Sequence, residues 1–115
     1  MTINVFSQGE QLPRNLLLKI DKEITVGDFK IEYFDNYLKN YPLSDYLIGM
    51  KAYYLCSNYS KDSALTFLNV VLNGKNQSDG SFINLAFGAI HKNKDIKEAK
   101  KHLLKSIELD KEKLN

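Results

Sequence analysis

Few residues in this chain are of a type that does chemistry, and their spacing argues against a reactive centre. His91 and His102 are the only histidines, eleven positions apart, and Cys56 is the only cysteine. A metal ion needs three or four convergent donors, and no cysteine or carboxylate cluster accompanies either histidine at ligand spacing. A lone thiol without a neighbouring base reads as a small buried hydrophobe rather than a nucleophile. The six glycines, Gly9, Gly27, Gly49, Gly74, Gly80 and Gly88, are scattered, so no loop is built to cradle phosphate. Asp21-Lys22-Glu23 and Lys111-Glu112-Lys113 read as solvated helix ends. The expectation is a protein that is not an enzyme, with no catalytic residue, no metal and no cofactor.

Charge and composition narrow the class further. The 115 residues carry 16 basic and 14 acidic side chains, a formal net charge of +2, which is too weak a footprint for a nucleic-acid reader. Fifteen of the sixteen basic residues are lysine and only Arg14 is arginine, although bidentate recognition of phosphate or guanine favours arginine. The lysine, asparagine and isoleucine bias fits an AT-rich bacterial genome. The 43% hydrophobic and 26% charged fractions are those of a globular domain, and 115 residues suit one domain spanning 1–115. No apolar run reaches 18 residues and the N-terminus lacks a basic segment followed by an apolar one. Together with the single cysteine this predicts a cytoplasmic location and no membrane partner.

The elements that position these residues emerge from apolar periodicity. Ile96, Ala99, Leu103, Leu104 and Ile107 mark a helix over Asp95 to Leu109, with Asp95 and Glu98 as a capping box. Ser81 to Lys92 is apolar nearly all round and reads as a helix buried on more than one side. A second pair runs from Asp45 to Ser57 and from Lys61 to Asn73, with Ser60 as N-cap and Gly74 as stop. The two pairs superpose at an offset of 35, matching Ile48 with Ile83, Leu55 with Ile90, Ala64 with Ala99, Leu68 with Leu103 and Leu72 with Ile107. One further step back predicts a degenerate hairpin, with helices over Pro13 to Lys22 and Asp28 to Asn40 and a turn at Ile24 to Gly27. Residues 1–11 read as an extended arm, and the expected units are 13–41, 45–74 and 80–111.

A period of 34 to 35 with two helices per unit resembles the tetratricopeptide repeat. Ala86, Ile90, Ala99, Leu103 and Ile107 carry the resemblance in the last unit, and Ala52, Leu55, Ala64, Leu68 and Leu72 in the middle one. Phe87 departs from it, standing where glycine or alanine is usual. The resemblance implies an all-α fold of antiparallel helical hairpins stacked as a short superhelix. It also implies a concave groove lined by the first helix of each unit, which carries Tyr46, Gly49, Tyr53, Cys56 and Ser57, then Ser81, Asn84, Gly88, His91 and Lys92. Small residues at Ala52, Ala64 and Ala99 make the same packing physically sensible, because helices approach closely only where crossing side chains are small.

All seven tyrosines fall between Tyr33 and Tyr59. Tyrosine provides large contact area at low entropic cost and is enriched at binding hot spots, whereas simple packing is the competing reading of the same rings. Tyr46, Tyr53, Asn84, His91 and Lys92 are therefore the expected partner-binding residues. The lysine-rich tail has a net charge of +3 over residues 92–115 and reads as a solvated end. With one domain and no chemistry, the expected role is binding and neutralising a cognate protein, as an immunity protein does to a toxin. The alternatives are a chaperone for a secreted substrate or a self-associating structural subunit, so oligomerisation stays open.

Overall fold

The computed structural model describes residues 12–27, 29–72, 80–92 and 95–114, with side chains described as far as Lys111. Within them lie six helices: α1 (Arg14–Thr25), α2 (Ile31–Asn40), α3 (Asp45–Asn58), α4 (Lys61–Leu72), α5 (Ser81–His91) and α6 (Ile96–Leu114). The all-α class is as expected, and each predicted helix is present. The predicted arm over residues 1–11 and the stop at Gly74 lie outside the described residues. α1 runs past the predicted end at Lys22 and into the predicted turn as far as Thr25, and Gly27 then reverses the chain with φ +81°, a conformation that costs glycine nothing. α2 ends at Asn40, two residues before Pro42, as the restriction on pre-proline backbone requires.

Local side-chain caps account for three of the six helix starts. Ser44 accepts from the Leu47 amide at 3.2 Å, Ser60 from the Ser63 amide at 3.0 Å and Asp95 from the Glu98 amide at 3.1 Å. The cap of α5 comes from another helix. Asp45, in the first turn of α3, accepts from the Phe82 and Ile83 amides at 3.0 Å each and is almost wholly buried. Both carboxylate oxygens thus serve the amides of a helix N-terminus, where backbone dipoles favour negative charge. A side chain on Gly80 would collide with that carboxylate, so the residue preceding α5 must be glycine.

α3 is the central element because it buries two sides. Leu47 joins Ile20, Phe29 and Phe34 in one apolar cluster, while Ile48 and Ala52 join Ala64, Leu68 and Leu72 of α4 and Ile83, Ala86, Phe87 and Ile90 of α5 in another. Burying each of these large side chains contributes about 1.5–3 kcal/mol, offset by the chain entropy lost on ordering. α3 packs closely along α4 and α5, and α5 along α6, whereas α2 meets α3 over a shorter stretch. The expected small residues sit where backbones come together: Ala52, Ala64 and Ala99 are all buried. Gly49 is the tightest approach of α3 to α5, since a Cβ there would lie 2.9 Å from the Phe82 Cβ and closer still to the Phe82 backbone. In the first unit α1 and α2 meet through bulky rings, with Tyr37 donating to Glu23 at 2.6 Å and the Lys19 ammonium 5.9 Å from the Tyr37 ring.

Candidate functional site

With two sides buried, α3 leaves one stripe facing outward: Tyr46, Met50, Tyr53 and Ser57, spaced by three and four residues. Beside the C-terminal half of this stripe opens a cleft of about 280 Å³ between α3 and the α1–α2 connection. Its floor is aromatic and rigid. Phe29 lies 4.5 Å from Phe34 and 6.4 Å from Tyr54 between ring centroids, and Phe34 lies 5.8 Å from Tyr54, all in edge-to-face arrangements. The Tyr54 hydroxyl reaches the Phe29 carbonyl at 3.4 Å, tying α3 to the connection that forms the opposite wall. Ile24 and Met50 add apolar wall, and Ser57 and Asn58 supply polar groups at the edge. Tyr53 stands on the rim with 49% of its surface exposed.

The five expected partner-binding residues do not share one surface. Tyr46 lies on the same face of α3 as Tyr53, but its ring packs edge-on against Phe82 at 4.9 Å. Burial, with a smaller contribution from Asp21, raises its phenol above the usual range, so it stays neutral at physiological pH. Asn84 is fully buried and His91 is half-buried, and both face α6 rather than an open groove. Lys92 is exposed at the end of α5. The side of α5 turned outward carries Leu85, which is 46% exposed, with Phe82 and Ala89 beside it.

The reason is a polar seam between α5 and α6. The Asn84 amide donates to the Gly80 carbonyl at 2.7 Å, which leaves its oxygen to accept from His102 Nδ1 at 2.9 Å. His102 is therefore held as the Nδ1–H tautomer, an assignment that follows from the hydrogen bonds. Ser106 donates to the Ser81 carbonyl at 2.9 Å one turn along. The rings of His91, Phe87 and His102 stack, with 4.8 Å between Phe87 and His102 and 6.1 Å between the histidines. Burial lowers the His102 pKa, against an opposing pull from Glu98. Gly88 lies at the crossing, where a Cβ would come within 2.6 Å of the Leu103 side chain. The α5 part of the face that the repeat resemblance assigned to a groove is the part that α6 covers.

Cys56 is partly buried against the α3–α4–α5 cluster. Among the described residues no three His, Cys, Asp or Glu side chains are placed to hold a metal ion, and no helix is long and apolar enough to cross a membrane. No protein-family model matches the chain, and comparisons with curated proteins and with solved structures give no significant match. Function must be argued from the geometry alone.

Proposed function

We propose that this chain is a protein-binding module that receives an apolar side chain from a partner's helix or extended segment in the cleft beside Tyr53, and that capture itself neutralises the partner, in the manner of an immunity protein. The observation that carries the reading is the half-exposed Tyr53 over a fixed aromatic floor. A rigid aromatic on the rim of an apolar cleft is the usual form of a binding hot spot, because little entropy is lost when the partner docks. Volume argues the same way. About 280 Å³ lies at the lower edge of the range for small-molecule sites, which also enclose most of their ligand, whereas this cleft is open and suits one or two protruding side chains.

The polar edge at Ser57 and Asn58 offers hydrogen bonds to the partner's backbone, and Leu85 extends the apolar surface on α5. The chain is non-catalytic in this reading. The histidines are held in stacking and hydrogen-bonding roles between α5 and α6, and Cys56 packs against an apolar cluster. A lone thiol fits a reducing cytoplasm, and the α3–α4 and α5–α6 pairs correspond to the two units whose sequences resemble tetratricopeptide repeats.

The test is capture of the product of the neighbouring gene by purified protein. Tyr53→Ala should weaken it by about 2 kcal/mol, roughly 30-fold in Kd, while Tyr59→Ala, more exposed than Tyr53 but outside the cleft lining, should leave it unchanged. Equal effects of the two substitutions would refute the assignment.

A further inference from the structure

The cleft beside Tyr53 is electronegative although no charged side chain lines it. Four of its nine lining residues, Phe29, Phe34, Tyr53 and Tyr54, are aromatic, and the face of an aromatic ring is its negative side. Ser57 and Asn58, at the edge, are the last two residues of α3. A helix C-terminus bears partial negative charge and carbonyls without intrahelical partners, and no basic residue in the last turn of α3 offsets them. The amides of Tyr59 and Ser60 both donate to the Leu55 carbonyl, at 2.9 and 3.0 Å, so neither serves the carbonyls of Cys56, Ser57 or Asn58. The Asn58 side-chain amide donates to the Tyr54 carbonyl at 3.1 Å, which leaves its oxygen as a further acceptor. α1 also ends at this cleft, through Ile24 and Gly27. The N-terminus of α2, whose partial charge has the opposite sign, carries Glu32 in its first turn, and Lys22 and Lys30 are exposed outside the lining.

We propose that the side chain this cleft receives is a partner's arginine, with its methylenes on the aromatic floor and its guanidinium stacked on Tyr53 at the C-terminus of α3. The proposal rests on the reading of the cleft as a partner-binding site and narrows the incoming group to one with an apolar stem and a cationic end. Arginine lays its methylenes along apolar surface while its head keeps contact with water, which matches a wall of Ile24 and Met50 beside an open polar edge. Its planar guanidinium stacks on aromatic faces and is more weakly hydrated than an ammonium, so it gives up less on entering the cleft than lysine does. Its five N–H donors meet an edge rich in acceptors, the α3 carbonyls and the Asn58 amide oxygen. A leucine would cover the floor and leave those acceptors unserved. A carboxylate would face the negative end of a helix.

Nuclear magnetic resonance titration of the full chain with N-acetyl-argininamide, its lysine and leucine counterparts, and the neutral isostere N-acetyl-citrullinamide tests the proposal. The arginine probe should bind with a Kd of roughly millimolar order, as one side chain can, and shift the amides of Gly27 and of residues 53–58. The citrulline probe should bind about 10-fold more weakly, and the lysine and leucine probes at least about 3-fold more weakly. Tyr53→Leu should weaken the arginine probe by about 3- to 10-fold and the citrulline probe by less, because only the cation draws on the ring face. Asn58→Asp adds negative charge at the helix end and should tighten the arginine probe by about 3-fold or more while leaving the leucine probe unchanged. Both positions are exposed, so circular dichroism should show the two variants folded. Leucine or lysine bound as tightly as arginine, citrulline within about 2-fold of arginine, or an Asn58→Asp chain indifferent to probe charge would each overturn the proposal. If capture of the neighbouring gene's product depends on Tyr53 while the probes show no preference, the arginine is refuted and the binding reading stands. The reverse pattern would uphold the arginine site and refute the capture reading.

Discussion

Replacing Asp45 by asparagine should destabilise the protein far more than its place in the first turn of α3 implies. The two carboxylate oxygens accept from the Phe82 and Ile83 amides at 3.0 Å each, across 37 and 38 residues of sequence. Asparagine keeps the shape and one acceptor but presents an NH2 group to the second amide, so one charge-assisted bond is lost and a buried donor is left opposing another donor. Loss of the bond costs about 1.5–3 kcal/mol, and removal of the negative charge from the α5 N-terminus about 0.3–1 kcal/mol, or nearer 2 where partly buried. The expected total is about 2–4 kcal/mol. With a urea m-value near 1.5–2 kcal/mol/M, about what a chain of this size gives, the midpoint should fall by roughly 1–2.7 M. Far-ultraviolet circular dichroism follows the transition. Asp62→Asn is the control, an exposed acid in the first turn of α4 whose loss should cost well under about 1 kcal/mol. If the two variants melt within about 0.5 kcal/mol of each other, the interhelical cap is not holding α5 and the reasoning fails.

Three further outcomes follow from the same packing. Gly49→Ala should cost about 3 kcal/mol or more in denaturant melts because its Cβ meets the Phe82 backbone, whereas Gly88→Ala meets the Leu103 side chain, which can give way by changing rotamer, and should cost less, about 1–2 kcal/mol. Tyr37, half-buried and donating to Glu23, has its pKa raised from 10.0 to about 12, so the stability it contributes is complete below pH 10 and drains away as pH climbs through that window. Tyr37→Phe should remove this alkaline slope from pH-dependent melts. His102 is shifted the opposite way, downward from 6.5 by burial, so stability is full above about pH 6.5 and declines as acid protonates the unfolded chain first. A His102→Gln chain whose acid decline matches that of wild type would remove His102 from the explanation.

Local signals in the sequence carried the helices well. Apolar periodicity located all six, and the hydroxyl of Ser60 and the carboxylate of Asp95 cap the helices they immediately precede. Ala52, Ala64 and Ala99 are buried because a small residue within a leucine-rich stripe has few other uses. Non-local pairings were not legible. Asp45 looked like an ordinary helix start, since nothing near it in sequence reveals that α5 needs a carboxylate. Asn84 was assigned to a groove because α5 is apolar on nearly every side, which leaves the outward face undetermined, and the hydrogen bond to His102 that fixes its direction spans 18 residues. Leu85 was missed for the same reason. Leu103 and Ile107 match Leu68 and Leu72 in type and spacing, yet Leu103 is only partly covered, against Gly88 of α5, and Ile107 is 52% exposed. The cleft beside Tyr53 depends on the α1–α2 connection, whose path follows from Gly27 and from aromatic packing rather than from any periodicity.

Hydrogen–deuterium exchange of the protein alone, and mixed with the product of the neighbouring gene, addresses the binding claim most directly. The cleft reading predicts slower exchange in the complex at the C-terminal half of α3 and at the α1–α2 connection, with α4 unaffected, and the loss of that protection in Tyr53→Ala. Protection confined to α4, or protection at the cleft that persists without the Tyr53 ring, would contradict it.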